Sequence, residues 1–136
     1  MAAAPRLILY HKQKTSARTR FLCFAASVLA FEPLPAGAAL LAQAGDVLPH
    51  PAASIREAET RLGLPSGALR AESEFQAEVT MPDGNVPVLL AEFTAIDPPF
   101  AAAEAAGARF IAITEARGLP AVELDLLRRA YEVIIG

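Results

Sequence analysis

An alternating stretch followed by a tight turn constrains the fold of this chain more than any other feature. From Glu74 to Met81, apolar residues alternate with polar ones, which is typical of a β-strand with one buried and one solvent-facing side. Residues 82–85, Pro-Asp-Gly-Asn, combine the fixed φ of proline with a glycine that accepts positive φ, as a turn requires. The sequence therefore predicts an antiparallel β-hairpin over residues 74–81 and 86–96.

The segment after the hairpin predicts a helix and then a third strand. Asp97 is a candidate N-cap, and Pro98 falls in the first helical turn, where its missing N–H costs nothing. If Gly107 ends this helix, residues 109–114 form a third strand, because aromatic and β-branched residues suit strands and a lone hairpin is marginally stable. The alternative is one helix that continues to Arg117.

The C-terminal residues predict a final amphipathic helix. It begins at Pro120 and carries a continuous apolar stripe that includes Leu124, Leu127 and Tyr131. The order of elements from residue 73 is then ββαβα. We predict a small two-layer α+β domain with its helices on one face of the sheet, preceded by N-terminal helices.

The first 38 residues differ in character from the rest. They hold five cationic residues against one acidic residue, and an uncharged apolar run follows the cations at 21–31. This order is typical of a cleaved secretory signal, and the run is shorter than the ~20 apolar residues that span a bilayer. The alternative is a buried helix over 16–31 that follows a short strand at 6–10. We divide the chain into this segment, 1–38, and a single globular α+β domain, 39–136.

The two interpretations of the N-terminal segment predict different compartments. The basic part before the apolar run is long for a signal, which favours a buried helix and a cytoplasmic protein. A cleaved signal would place the mature protein in the periplasm or outside the cell. Neither interpretation predicts a stable membrane span.

Charge and composition argue against nucleic-acid and metal binding. Residues 39–136 hold seven arginines and no lysine against 14 acidic residues, a balance that repels phosphate backbones. A helix-turn-helix over 55–71 would offer only Arg70 to DNA among acidic neighbours. The single cysteine, Cys23, and two distant histidines, His11 and His50, lack zinc-ligand spacing, so we predict no metal and no cofactor.

One polar group is a candidate for chemistry. Glu92 is a lone carboxylate in an otherwise apolar strand, where burial would raise its pKa. Thr114, Glu115 and Arg117 would follow the third strand, at the end of a sheet where pockets form, and Asp97 completes the group. A carboxylate and arginine pocket of Glu92, Glu115 and Arg117 would suit a small enzyme or a ligand-binding protein. A helix cap at Asp97, surface charge at Glu115 and Arg117, and an edge-facing position of Glu92 explain the same residues without chemistry, and we favour that interpretation.

The sequence contains no Gly-rich phosphate loop, nucleophile elbow or paired-cysteine motif. This favours a small accessory or protein-interaction domain over an enzyme. An edge strand of the hairpin and the broad apolar stripe of the last helix are the candidate contact surfaces. The expected partner is another protein or a second copy in a homodimer, and the sequence does not indicate a small-molecule ligand.

Overall fold

A seven-stranded mixed sheet with three α-helices and one 3-10 helix forms the fold. The computed structural model describes residues 5–43 and 50–136, and these elements are counted within those ranges. In chain order they are β1 (Arg6–Lys12), β2 (Thr19–Phe24), β3 (Ala39–Leu40), α1 (Ala52–Arg61), β4 (Leu69–Ala71), β5 (Ala77–Met81), β6 (Gly84–Phe93), α2 (Phe100–Ala105), β7 (Ala108–Ile111), the 3-10 helix (Ile113–Glu115) and α3 (Ala121–Ile135).

The strands lie in the order β3-β5-β6-β1-β2-β7. β1 and β6 are parallel, with Leu9 opposite Ala91, and every other pair is antiparallel. β4 pairs with the last three residues of β6, where Leu69 lies opposite Phe93. The N-terminal strands therefore occupy the centre of the sheet.

Both faces of the sheet are covered. Along β1, Ile8 and Tyr10 belong to the core cluster that contains α3, while Leu7 and Leu9 belong to the cluster that contains α1 and α2. The prediction of helices on one face, and hence of two layers, is wrong. A central strand that is apolar on both sides needs a helix layer on each side to exclude water.

The α+β class is confirmed, and so is the order ββαβα from residue 73. β5 and β6 form the predicted hairpin, with Met81 opposite Gly84 across the turn. β7 is the predicted third strand, but it ends at Ile111 rather than at residue 114, because Ile113–Glu115 form the 3-10 helix. The alternative of one helix through to Arg117 is wrong. The apolar stripe of α3 packs on the sheet through four buried residues: Leu126, Leu127, Ala130 and Ile134.

The helix predicted over 16–31 is wrong, although its burial is right. Thr19–Phe24 form β2, which pairs with β1 on one side and β7 on the other. A strand with both faces buried shows no alternation, so its apolar run resembles a buried helix. The strand predicted at 6–10 is confirmed as β1. The signal peptide and the domain boundary at residue 38 stay predictions.

Other local predictions also need correction. The N-cap of α2 is Pro99 rather than Asp97. α1 is followed by β4 instead of a second helix, so the helix-turn-helix over 55–71 is wrong, and α1 is the single α-helix described before residue 73. β6 is an interior strand, because β1 pairs with it opposite β5, so the hairpin does not end in a free β6 edge. In the ranges described, no helix is long and apolar enough to cross a membrane.

Candidate functional site

The carboxyl ends of the parallel strands β1 and β6 lie at the same end of the sheet and form a small pocket there. Its volume is about 130 Å³, and its walls come from residues 12–15 after β1, residues 92–96 at the end of β6, and Arg70 of β4. The carboxyl ends of parallel strands are a common place for binding sites, because loops diverge from there.

Glu92 lies in this pocket in an ion pair. It is opposite Tyr10 of β1 and opposite Arg70 of β4, and the Arg70 guanidinium contacts its carboxylate. The Glu92 side chain is 16% exposed and that of Arg70 is 69% exposed. The carboxylate is therefore held below the surface, while its cationic partner faces solvent.

Tyr10 extends this network into the core. Its hydroxyl donates a hydrogen bond to Glu72 Oε2 at 2.6 Å. Burial raises the pKa of the Tyr10 phenol, and the hydrogen bond to Glu72 and the nearby Glu92 charge raise it further. Tyr10 therefore stays neutral and acts as a fixed hydrogen-bond donor.

The turn between β1 and β2 carries a cluster of positive charge. Lys12, Lys14, Arg18 and Arg20 lie within residues 12–20, which contain no acidic residue. The turn is closed by the Gln13 N–H, which donates to the Arg18 carbonyl at 2.9 Å. Lys12 Nζ donates to the Ile134 carbonyl at 3.2 Å, and this anchors the start of the turn on the end of α3.

Hydrogen bonds tie this turn to the segment after β6. Gln13 Nε2 donates to Asp97 Oδ1 at 3.3 Å, and Gln13 Oε1 accepts from Arg20 at 3.4 Å. Beneath them the His11 ring is buried, and its Nε2 lies 2.8 Å from the Ala95 carbonyl oxygen. Two long-range contacts therefore fix residues 95–97 beside the basic turn.

Two large apolar side chains are exposed next to these charges. Ile96 is 86% exposed, and Phe100 is 55% exposed. The Arg20 guanidinium lies 5.9 Å from the centroid of the Phe100 ring, and Phe110 supports that ring edge-on at 5.6 Å. We call these side chains, which lie at one end of the sheet, the basic-apolar surface. It comprises Lys12, Lys14, Arg18, Arg20, Ile96 and Phe100.

The structure brings only part of the predicted polar group together. Glu92 lines the pocket and Asp97 lies beside it, bonded to Gln13. Glu115 follows β7, at the edge of the sheet, where its carboxylate accepts the Ala112 N–H at 2.9 Å. Two strands, β1 and β2, separate β7 from the strand that carries Glu92, β6. Thr114 and Arg117 do not line the pocket of Glu92. The arginine beside Glu92 is Arg70.

Arg70 and the basic turn are the parts of the site that the sequence did not indicate. Arg70 reaches Glu92 only through β4, a strand of three residues that is too short to show a pattern. The acid-free basic run of 12–20 was visible, but it resembled the n-region of a signal peptide. In the structure this run lies at the end of the hairpin of β1 and β2, at the centre of the sheet.

The chain matches no known family model, and it has no significant match among curated proteins. Within the part of the chain that is described, no group of three or more His, Cys, Asp or Glu side chains could hold a metal ion.

Proposed function

We propose that this protein is a small interaction domain whose basic-apolar surface binds an acidic segment of a partner protein that also carries an apolar side chain. The observation behind this proposal is the exposure of Ile96 and Phe100 among four cationic residues. Large apolar side chains exposed beside a polar rim are typical of interaction sites.

Charge defines the kind of partner. The basic turn contains no acidic residue, and the one carboxylate in the adjoining pocket, Glu92, is paired with Arg70. Positive charge therefore dominates this end of the sheet and would speed association with an acidic partner. Arg20 lies beside the half-exposed ring of Phe100, and arginine and aromatic residues are both enriched at protein interfaces.

The surface is supported by fixed contacts, which lowers the entropy lost on binding. Gln13 donates a hydrogen bond to Asp97, the His11 ring is hydrogen-bonded to the Ala95 carbonyl oxygen, and the Phe110 ring packs against Phe100. By contrast, burial raises the pKa of Tyr10, so its phenol is poorly suited to proton transfer at neutral pH, and the Glu92 carboxylate is occupied by Arg70. The geometry thus supports binding better than catalysis.

Selection from a random peptide library displayed on phage tests this proposal. We expect the enriched peptides to be net negative and to contain an aromatic or branched apolar residue. Reversing two charges, Lys14→Glu with Arg18→Glu, should weaken the binding of an enriched peptide about tenfold. Raising the salt concentration should weaken the binding of that peptide further. Ile96→Ser tests the apolar contact separately.

The control for the charge reversals is Arg56→Glu on the exposed side of α1, away from the basic turn. It should leave peptide binding unchanged. Enrichment of neutral or basic peptides, or binding that ignores Lys14→Glu with Arg18→Glu, would contradict the proposal. Tighter binding of single-stranded DNA or of phosphatidylserine vesicles than of any peptide would also overturn it. A concentration-dependent dimer disrupted by the same charge reversals would identify the partner as a second copy.

A further inference from the structure

A second concave site lies at the opposite end of β1 and β2. It is an open cleft of about 670 Å³ between the loop after β2, the end of α1, the end of α2 and the start of α3. Phe24, Leu29 and Phe31 supply apolar walls, and the two aromatic rings lie 5.2 Å apart between centroids. This volume is in the range of sites that hold a small molecule.

Small residues keep this cleft open. Ala25, Ala26, Ala106 and Gly107 line it, and the first three carry only a methyl side chain. All four are exposed, and a Cβ at Gly107 would meet no atom within 4 Å, so larger side chains here have open space to occupy. The opening of the cleft therefore follows from the residue types around it.

One buried carboxylate lies in the cleft wall. Glu123, in the first turn of α3, is 1% exposed and lines the cleft. Its Oε1 accepts the Val28 N–H at 2.8 Å, and its Oε2 accepts the Ser27 hydroxyl at 2.9 Å. A carboxylate accepts up to about four hydrogen bonds, so each oxygen retains capacity for a ligand donor.

Backbone strain is concentrated around the same cleft. Three described residues other than glycine have positive φ, and two of them line it: Ala25 at 54° and Phe31 at 68°. This conformation is unfavourable for a bulky residue such as Phe31 and persists where the surroundings impose it, often at binding sites. The position of Phe31 also brings its ring under the Arg61 guanidinium, 4.0 Å from the ring centroid.

We infer that the cleft is a binding site for a small molecule with an apolar body and a protonated amine. The apolar body occupies the space between Phe24, Leu29 and the small residues, and the amine donates to Glu123. This site is independent of the proposed partner surface, because it lies at the other end of the sheet.

The charged residues that line the cleft favour a protonated amine over a carboxylate as the polar group of the ligand. Glu32 and Glu123 are acidic and Arg61 is the one cationic residue in the lining. The Arg61 guanidinium lies on Phe31 and 4.0 Å from Glu57, and Glu32 lies 3.8 Å from Arg6, so Glu123 is the acidic residue of the lining that has no ion-pair partner among the described residues. A ligand carboxylate would meet net negative charge, whereas an amine would meet a buried acceptor.

Three probes with the same ring test the inference: phenethylamine, phenethyl alcohol and phenylacetate. Each is titrated into the full chain while the amide NMR signals of Ala26, Ser27 and Gly107 are followed. The amine should bind about tenfold more tightly than the alcohol, because a charge-assisted hydrogen bond is the stronger one, and the acid should bind most weakly. Glu123→Gln should reduce amine affinity to that of the alcohol.

Ala106→Leu tests the cleft without removing a hydrogen bond of Glu123, because Ala106 is exposed at the end of α2. It should weaken all three probes, whereas Ala53→Leu, an exposed alanine on α1 outside the cleft, should weaken none. The inference is overturned if the acid binds most tightly, if Ala106→Leu has no effect, or if no probe gives saturable shifts at these amides.

Discussion

Two buried glutamates of this protein hold loops to helices by accepting backbone N–H groups. Glu59 Oε2 on α1 accepts the Gly67 and Leu69 N–H groups at 2.9 and 3.0 Å, and Glu123 on α3 accepts the Val28 N–H. Both side chains are at most 5% exposed. A buried carboxylate is tolerated when donors satisfy it, and removing it leaves those donors unpaired.

The pH dependence of stability should reveal the burial of Glu123. Burial raises the pKa of its carboxyl above the ordinary value, and the hydrogen bonds from Val28 and Ser27 oppose this only in part. Because the folded pKa is the higher one, the stability contribution is fully present below the unfolded pKa of ~4.3 and is lost as pH rises through the folded pKa.

We therefore expect the unfolding free energy of the wild type, relative to Glu123→Gln, to fall as pH increases above ~4.3. Denaturant unfolding of both proteins between acidic and neutral pH, followed by circular dichroism, measures this difference. A difference that is constant or that grows with pH would refute the assignment. Glu123→Ala should cost ~1–3 kcal/mol, because it leaves two donors unsatisfied.

At the same scale, the sequence indicated Glu92 but not Glu123. A single carboxylate in an apolar strand is conspicuous, and Glu92 does line a pocket. Glu123 occupies the first turn of a helix, where an acidic residue is already explained by the helix dipole. Its burial results from contact with the loop at Ser27, and this contact between distant parts of the chain leaves no local signal.

Among the elements, the turn after β2 departs from the residue types that such turns prefer. Phe24 and Ser27 exchange backbone hydrogen bonds around Ala25 and Ala26. Only Ala25 has positive φ, at 54°, which is the pattern of a type II′ turn, and that turn prefers glycine at this position.

Ala25→Gly should raise the unfolding free energy by ~0.5–1 kcal/mol, since glycine adopts this φ without a steric penalty. The adjacent Ala26→Gly is the matched control and should lower it by a similar ~0.5–1 kcal/mol, because Ala26 needs no positive φ and glycine adds unfolded-state entropy. Denaturant midpoints of the two variants give the comparison. Equal effects in both variants would mean that the turn is not strained at Ala25.

Elements with a local signal were predictable, and those defined by distant neighbours were not. The hairpin of β5 and β6 shows alternation and a turn, and α3 shows a stripe at helical spacing. β2 is buried on both faces between β1 and β7, so its continuous apolar run suited a signal peptide or a helix equally well. Recognising it as a strand requires its partners, which lie far along the chain.

For the whole molecule, the central position of β1 and β2 predicts that the chain folds as one unit. β6 pairs with β1, and β7 pairs with β2 as its single described strand partner. A fragment of residues 39–136 would lose both pairings and the buried side chains Phe21, Leu22 and Leu29. We expect this fragment to be unfolded, with no cooperative thermal transition by circular dichroism, whereas the full chain shows one. A fragment with dispersed amide NMR signals would instead support a domain that begins near residue 39.

The parallel pairing of β1 with β6 also affects how the protein is made. The first two strands leave the ribosome with apolar side chains on both faces, and the strands and helices that cover them follow only later. At ~5–20 residues per second, synthesis leaves the β1–β2 hairpin uncovered for several seconds before Ala91 arrives opposite Leu9. The cationic turn is the charged end of that hairpin, and charges beside apolar strands disfavour aggregation, so we expect the same charges to oppose aggregation of the nascent chain.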